Sequence, residues 1–260
     1  MSGNYLPEID DPTLKRVLLE PDSAFLAALD LQSFERLGLD RALLIASDIA
    51  LRQGTVSSHS ILDAGSNNGL VGRALGVLGN RITCLDSGIV DSQDCYDRLR
   101  SRTVVRADLR DYLAEHPGET WDFVLLLSVV HHWETGYAMS GHAMYTEEQI
   151  RGIFETLHER TRQGIYLELP LAEPGFSPDF SDGFVKKYAS AFSIIEINRT
   201  IGSNGYLRRL FYLDRSGKNE SPETERLLRN AHLYEKLELR RLTVPRGDVY
   251  RMSVGKKPEA

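Results

Sequence analysis

The sequence has few cysteines, no long apolar stretch and no basic leader. Its 260 residues include two cysteines, Cys84 and Cys95, whose spacing matches no metal site, so a disulfide framework and a zinc centre are both excluded. No apolar run reaches the length of a membrane span. The first residues include Glu8, Asp10 and Asp11 and lack the basic and apolar regions of a signal peptide. We therefore expect a cytoplasmic protein with reduced thiols.

The chain also lacks a dense block of charge of one sign. Its net charge is −6, although residues 201–260 carry 13 Lys and Arg against 8 Asp and Glu. These basic residues are interleaved with acids, which is typical of a solvated helical surface. A nucleic-acid interface requires a clearer basic patch with aromatic residues between the charges. We therefore expect no nucleic-acid partner, while Arg208, Arg209 and the basic tail could meet a phosphate or sugar phosphate.

The dinucleotide-binding pattern G-x-G-x-x-G is absent from the turn around which the chain is organised. Residues 60–62 resemble the end of a strand, and apolar residues recur at helical spacing from position 70 to 75. Between them, Gly65 and Gly69 permit positive φ, and Asn67 is the non-glycine type best suited to a left-handed position. We therefore expect a ligand to lie across this turn.

The acid at the end of the first strand bears on the type of ligand. Asp63 would repel a phosphate, whereas it suits a ligand with an ammonium or sulfonium group. This charge favours S-adenosyl-L-methionine over NAD as the cofactor.

Two further predicted strands end on a carboxylate. The strand from Arg81 ends at Asp86, 23 residues beyond Asp63, which is close to the separation at which nucleotide-binding folds place an acid on the ribose hydroxyls. The strand from Thr103 ends at Asp108. Either acid could instead cap the helix that follows it. The distance from the glycine turn favours ribose binding by Asp86, and for Asp108 the two roles can coexist.

The pattern D-x-G-S-N-x-G, from Asp63 to Gly69, resembles motif I of the class I S-adenosylmethionine-dependent methyltransferases. Five βα units closed by a β-hairpin over residues 40–215 are similar to that family as well. The resemblance implies an α/β fold with a Rossmann-like, seven-stranded, mostly parallel sheet, an antiparallel last strand and helices on both faces. It implies S-adenosyl-L-methionine as cofactor, with Asp108 at the adenine amino group and Leu109 against the ring. The residues assigned to the cofactor are Asp63, Gly65, Ser66, Asn67, Gly69, Asp86, Ser87, Asp108, Leu109 and Ser128.

Three regions are expected along the chain. Residues 1–52 form an N-terminal helical arm or cap, residues 53–216 the methyltransferase domain, and residues 217–260 a helical C-terminal extension. The helix from Arg41 is apolar nearly all round, so it is expected to be buried, either by simple packing or as a cover for the cofactor. The fifth strand is expected to end at Pro170, followed by a loop to residue 183 and a short helix near residues 184–191.

A continuous apolar run from Trp121 predicts a central strand that is buried on both faces and ends at Ser128. His131 and His132 follow at the carboxyl edge of the sheet, where an imidazole can act as a base. If the backbone stays extended there, neighbouring side chains alternate and only one of them enters a pocket. We predict His132 as the base, with His131 as the second candidate and Trp133 as a pocket wall. For each histidine the alternative is a hydrogen bond to the loop.

A metal site is an alternative use of the same loop. His131, His132, Glu134 and His142 lie close together in sequence, and some RNA methyltransferases bind a divalent ion with two acids and two histidines near this point. The spacing differs here and no second acid is evident. We therefore expect no metal.

The run from Leu127 to His132, with the later Tyr166–Pro170 segment, is similar to the methyltransferase portions of enzymes that cap bacterial polysaccharides. It is less similar to RNA-end methyltransferases. We therefore expect methyl transfer to an oxygen of a glycan, a sugar phosphate or a small metabolite. The alternatives are an RNA methyltransferase and a cofactor-binding partner module without catalysis, while Asp63 and the missing glycine pattern disfavour an NAD-dependent oxidoreductase. The acceptor, the oligomeric state and the use of the tail stay open.

Overall fold

The computed structural model describes residues 12–13, 41–67, 69–87, 102–136, 142–201 and 207–216. Most of the expected N-terminal arm and the whole C-terminal extension lie outside these ranges. None of the helices within them combines the length and the apolar character that a membrane span requires. The helices and strands are α1 (Arg41–Gln53), β1 (Ser60–Ala64), α2 (Leu70–Val77), β2 (Arg81–Asp86), β3 (Arg102–Arg106), α3 (Leu109–Glu115), β4 (Trp121–Leu127), α4 (His131–Thr135), α5 (Glu147–Arg160), β5 (Thr161–Ala172), α6 (Phe180–Tyr188), β6 (Ser193–Ile201) and β7 (Leu207–Asp214).

The described strands form one seven-stranded sheet in the order β3-β2-β1-β4-β5-β7-β6. The pairs from β3 to β5 are parallel, and β7 is antiparallel to both β5 and β6. This arrangement confirms the predicted α/β fold with an antiparallel last strand. The chain turns from one side of β1 to the other between β2 and β4, and open α/β sheets bind ligands at such a switch point.

Strand β4 is buried on both faces, as its unbroken apolar run predicts. Phe123 and Leu125 pack in one core cluster with residues of α1 and α2, such as Ile45. Val124 and Leu126 belong to a second cluster, on the side of α3, α5 and α6. Because successive strand residues point to opposite faces, a single strand supplies both cores.

Helix α5 forms as its sequence predicts. The Thr146 side chain accepts from the Gln149 backbone amide, and the Gln149 side chain accepts from the Thr146 amide, which completes a capping box. The predicted apolar stripe is buried and consists of Ile150, Ile153, Phe154 and Leu157.

The boundaries after β5 differ from the prediction. Pro170 lies inside the strand, which continues to Ala172, and the register with β7 shifts between these two residues. A bulge accommodates a proline because no ladder hydrogen bond is required from its missing N–H group. Helix α6 then begins at Phe180, where a loop was expected, and the Ser181 hydroxyl donates to the Pro170 carbonyl.

A buried polar group joins α1 to the sheet. The Tyr166 hydroxyl in β5 donates to Asp48 Oδ2 at 2.7 Å, and Arg52 Nε donates to the same oxygen at 2.8 Å. The Arg52 guanidinium also lies over the Tyr212 ring, 3.8 Å from its centroid. Burial, together with the nearby Asp48 charge, raises the pKa of Tyr166, so this side chain remains a neutral donor.

Removal of the Tyr166 hydroxyl should destabilise the protein. We expect Tyr166→Phe to lower the free energy of unfolding by about 1–2 kcal/mol, because a buried charge-assisted hydrogen bond is lost while the ring still packs on Phe123 and Tyr212. Urea unfolding measures this loss. Tyr112→Phe is the matched control, since it removes a hydroxyl that donates to Glu119 near the surface. A Tyr166→Phe loss no larger than that of the control would contradict the assignment.

Candidate functional site

The glycine turn after β1 rests on the end of β2. The Gly65 and Ser66 amides both donate to the Leu85 carbonyl, at 2.8 and 3.1 Å, and the Gly69 amide donates to the Ser66 carbonyl at 2.8 Å. Gly65, Asn67 and Gly69 have φ values of 74°, 50° and 69°. The left-handed conformations predicted at these three positions are therefore confirmed. Because of them, the turn adopts neither a regular strand nor a regular helical backbone.

Asp86 lies directly beside this turn. Its Oδ2 accepts a hydrogen bond from the Asn67 amide at 2.6 Å. The end of β2 and the turn after β1 are thus held together by a carboxylate. Ser87, the next residue, is exposed at the same edge. The fold therefore brings together the predicted ribose-binding acid and the predicted ligand turn.

Asp63 lies beneath the turn. Its side chain is buried, and Oδ2 accepts from the Gly72 amide at 3.1 Å, in the first turn of α2. A Cβ at Gly72 would lie 3.0 Å from this oxygen, so glycine allows the close approach. The carboxylate stabilises the helix N-terminus, for which Gly69 provides no side-chain cap. This role was not predicted, and a contact between Asp63 and a cofactor stays a prediction.

Asp108 caps α3, as one of its two predicted roles requires. Its Oδ1 accepts from the Arg110 amide at 2.9 Å, and the Tyr145 hydroxyl donates to Oδ2. Burial and the bond to Asp108 raise the pKa of Tyr145, which keeps the phenol protonated. Each carboxylate oxygen can accept a second hydrogen bond, so an adenine amino group remains compatible with this cap. Leu109 is buried in the core beneath it.

The switch point between β1 and β4 is tightly packed. A Cβ at Gly65 would lie 2.7 Å from Val129 Cγ2, in the segment that follows β4. Ser128, just before it, has a φ of 61°, an unusual value for a residue other than glycine. The ends of the two strands thus fit together only because position 65 lacks a side chain.

Gly65→Ala should therefore disturb both the turn and the fold. We expect the free energy of unfolding to fall by about 2 kcal/mol, because alanine at positive φ is strained and its methyl group would overlap Val129. Chemical denaturation measures this change. In the control Gly152→Ala, a Cβ on α5 would meet no atom within 4 Å, and that variant should be at least as stable as the parent. Equal stability of the two variants would refute the packing argument.

A buried ion pair links α1 to the ends of β4 and β5. Arg41 Nη1 donates to Glu168 Oε2 at 2.9 Å, and the Ser128 hydroxyl also donates to this carboxylate. The Arg41 and Glu168 side chains are 6% and 0% exposed, so the charges neutralise each other away from water. Ser128, assigned to the cofactor from the sequence, is therefore held by two residues that the sequence did not associate with it.

The two histidines lie in the short helix α4. His131 is 1% exposed, and its ring centroid lies 4.0 Å from that of His132 and 5.5 Å from that of Phe176. The backbone is helical at this point, so the condition of an extended backbone, under which only one ring would enter a pocket, is not met. A helix turns about 100° per residue, so the neighbouring rings do not alternate and can contact each other.

His132 is half-buried, and its Nδ1 lies 3.4 Å from the Gly136 carbonyl oxygen. Burial lowers the pKa of His132, the charge of Arg208 lowers it further, and the Gly136 carbonyl and Glu173 oppose this shift. The net effect favours the neutral imidazole, the form that can accept a proton.

Trp133 is buried among aromatic side chains. It is 3% exposed, and its ring centroid lies 5.5 Å from that of Tyr145 and 6.3 Å from that of Phe154. These contacts place Trp133 in the core rather than on a pocket wall, which corrects the prediction.

The alternative metal ligands do not come together. In the part of the chain that the structure describes, no three His, Cys, Asp or Glu side chains lie close enough to hold an ion. Glu134 instead forms an ion pair with Lys187 at 3.2 Å and accepts from the Tyr188 hydroxyl at 2.5 Å. These bonds hold α4 against α6.

This chain is similar to known proteins in its structure, and no similarity is found in its sequence. No protein-family model and no curated protein sequence matches this chain. WbdD, a bifunctional kinase-methyltransferase, matches 81% of the chain at 18% identity with a TM-score of 0.51, and the chain spans less than half, 45%, of that WbdD structure. The magnesium protoporphyrin IX methyltransferase ChlM from Synechocystis PCC 6803, with bound S-adenosylmethionine, matches 78% of the chain over 89% of its own, at 16% identity and a TM-score of 0.50.

The chain has the class I methyltransferase fold. At these identities the likeness concerns the fold, and the roles of individual residues rest on their own geometry. Within this methyltransferase fold, the predicted residues from Asp63 to Gly69, Asp86, Asp108 and Ser128 all lie at the carboxyl ends of β1 to β4. Their contacts with a cofactor stay predictions.

Several residues of this edge of the methyltransferase fold were missed in the sequence. Tyr145 precedes the capping box of α5 and reaches Asp108 across 37 positions, while Arg41 and Glu168 are 127 positions apart. No local periodicity links such pairs. The one available signal was the position of Glu168 two residues before the predicted end of an apolar strand, which is similar to the signal that identified Asp86 and Asp108.

Proposed function

We propose that this protein is a S-adenosyl-L-methionine-dependent methyltransferase that transfers a methyl group to an oxygen of a glycan, a sugar phosphate or a small metabolite. The observation that carries the proposal is the bond between the Asp86 carboxylate and the Asn67 amide, which assembles a ligand turn and an acid at the switch point of the sheet. The bound S-adenosylmethionine of ChlM, a protein of the same fold, supports this choice of cofactor.

The residues at this edge fit the chemistry of that cofactor. Asp86 can accept hydrogen bonds from two vicinal ribose hydroxyls, and Asp108 can accept one from an adenine amino group. The positive φ values of Gly65 and Gly69 allow close approach of a ligand to the backbone of the turn. The remaining members of the predicted set are Asp63, Ser66, Asn67, Ser87, Leu109 and Ser128. When bound, the cofactor supplies a methyl group on a sulfonium sulfur.

His132 is the proposed general base. The Gly136 carbonyl can only accept a hydrogen bond, so Nδ1 of His132 carries the hydrogen and Nε2 keeps the lone pair. In the transfer, the acceptor oxygen would form a bond to the methyl carbon while the bond from that carbon to the sulfonium sulfur breaks and leaves a neutral thioether. The hydroxyl proton of the acceptor would move to Nε2. The lowered pKa of His132 keeps the imidazole neutral before this step. His131 is too buried for the same task.

A cofactor-binding module without catalysis is the second candidate. The burial of His131 favours it, because a histidine that is 1% exposed is removed from any acceptor and cannot serve as a base. In that case the turn and Asp86 still bind the nucleoside, and the protein acts as a partner in a biosynthetic assembly. The cytoplasmic location and the absence of a nucleic-acid partner stay predictions.

Two measurements test the proposal. Calorimetry should show binding of S-adenosylmethionine and of its demethylated product, S-adenosylhomocysteine. A screen of glycans, sugar phosphates and small metabolites with labelled methyl donor should then show transfer to at least one class. Binding without transfer to any acceptor favours the partner module. Absence of binding of either nucleoside would refute both.

A further inference from the structure

Arg208, at the start of β7, is a buried cation whose hydrogen bonds are incomplete. The residue is 5% exposed, and its Nη2 donates to Glu173 Oε2 at 2.9 Å. Its Nε and Nη1 are also buried, and within the described ranges neither donates to any acceptor. Buried N–H groups of a charged side chain normally have acceptors, because an unmet donor in a low-dielectric site is unfavourable.

The position of Arg208 relates it to the proposed site. Because β7 is antiparallel to β5, its first residues lie at the carboxyl edge of the sheet, and Arg208 pairs with Pro170 near the end of β5. The segment of its partner Glu173 reaches the histidines, because the Phe176 ring centroid lies 5.5 Å from that of His131, whose ring in turn contacts His132. In agreement with this placement, burial lowers the pKa of His132 and the Arg208 charge lowers it further. Donor groups without an acceptor among the described residues therefore lie at the same edge of the sheet as the proposed base.

Among the described residues, the two carboxylates on this face of the sheet already have arginine partners. Glu173 pairs with Arg208 itself, and Glu168 pairs with Arg41 on the same face of the sheet. The neighbouring Arg209 points to the opposite face, where it forms ion pairs with Asp182 and Glu196 at 2.7 and 2.6 Å. Arg209 thus has two carboxylate partners, whereas Arg208 has one carboxylate partner and two donor groups without an acceptor in the described part of the chain.

We propose that Arg208 binds an acidic group, a phosphate or a carboxylate, of the methyl acceptor. This inference rests on the proposed function and narrows its acceptor class. An oxyanion on Nε or Nη1 would receive charge-assisted hydrogen bonds in a site from which water is largely excluded. It would hold the rest of the acceptor next to His132, and its negative charge would offset that of Arg208 at the imidazole and strengthen the base.

Calorimetry with simple anions tests this role without knowledge of the acceptor. The probes are inorganic phosphate and D-glucuronate, which distinguish a phosphate site from a carboxylate site, and uncharged D-glucose. Each is titrated into the full chain, alone and with S-adenosylhomocysteine. We expect at least one anion, but not glucose, to bind. Arg208→Gln should weaken this binding about tenfold or more, because a charge-assisted contact is lost, whereas Arg209→Gln should leave it unchanged.

Two further variants protect the test against misfolding. Glu173→Gln removes the carboxylate that competes for Arg208, so it should bind the anion more tightly than the parent. The double variant Arg208→Gln with Glu173→Gln removes both buried charges together and should fold and bind S-adenosylhomocysteine, but not the anion.

The outcomes separate the two proposals. If the parent binds S-adenosylhomocysteine and neither anion, or if Arg208→Gln and Arg209→Gln weaken anion binding equally, the acceptor inference is overturned and the cofactor assignment stands. If anion binding depends on Arg208 but the nucleoside does not bind, the anion site stands and the methyltransferase proposal fails.

Discussion

Asp86→Ala is expected to weaken the binding of S-adenosylhomocysteine by about 100-fold or more. The substitution removes a carboxylate that can accept from two ribose hydroxyls, and each charge-assisted hydrogen bond contributes about 1.5–3 kcal/mol. It also removes the acceptor of the Asn67 amide, so the turn itself loses a contact at 2.6 Å. Isothermal calorimetry on the purified variant gives the change directly.

Asp86→Asn separates these two contributions. The amide oxygen of asparagine can still accept from the Asn67 backbone, while the negative charge is lost, so its affinity should lie between those of the parent and of Asp86→Ala. Asp111→Ala is the control for a general effect of charge, because that side chain is exposed and forms an ion pair with Arg110. Unchanged affinity in Asp86→Ala would refute the ribose assignment.

His132→Ala should lower turnover by about 10²–10⁴-fold, the usual contribution of a positioned general base. The affinity for S-adenosylhomocysteine should change little, because the imidazole is proposed to act on the acceptor and not on the nucleoside. Steady-state kinetics with labelled methyl donor, combined with calorimetry, gives both quantities on one preparation.

The pH dependence follows from the lowered pKa of His132. A base acts in its deprotonated form, so kcat/KM should rise with pH through the pKa of His132 and level off above it. Because burial and the Arg208 charge lower that pKa, the midpoint of the rise in kcat/KM should lie at a pH below 6.5, the ordinary pKa of histidine. The activity should therefore already be maximal at neutral pH.

Two histidine variants complete this test. His116→Ala is the matched control, since His116 lies at the end of α3 and contacts the Tyr112 carbonyl, away from the carboxyl edge. His131→Ala should mainly reduce stability, because it empties a buried site beside Phe176. If His132→Ala remains active and His131→Ala folds but is inactive, the choice between the two histidines was wrong.

The sequence contains enough information for the fold because its signals are local. The apolar run from Trp121 to Leu127 predicts a doubly buried strand, and the acids at the carboxyl ends of β1, β2 and β3 must meet at one edge once those strands are parallel. The left-handed turn follows from glycine and asparagine alone. These inferences depend only on the residue types and their order, and both can be read directly from the sequence.

The parts that could not be predicted depend on contacts between distant segments. The orientation of Asp63 follows from strand alternation, since it shares a face with Ile61, but the presence of α2 amides on that face requires the packed structure. The bond from Tyr145 to Asp108 likewise depends on how the segment before α5 returns to β3. Pro170 was assigned as a strand end because the bulge in the pairing of β5 with β7, which accommodates this proline, leaves no signal in the sequence around it.

The ion pair between Arg41 and Glu168 has a consequence for synthesis of the protein. The two residues are 127 positions apart, so at about 5–20 residues per second roughly 6–25 s separate their emergence from the ribosome. During this interval, Arg41 in helix α1 lacks its counter-ion Glu168, and strand β5, which carries Glu168, has not yet been synthesised. We therefore expect nascent chains that end before β5 to remain sensitive to protease, and the sheet to assemble late in translation.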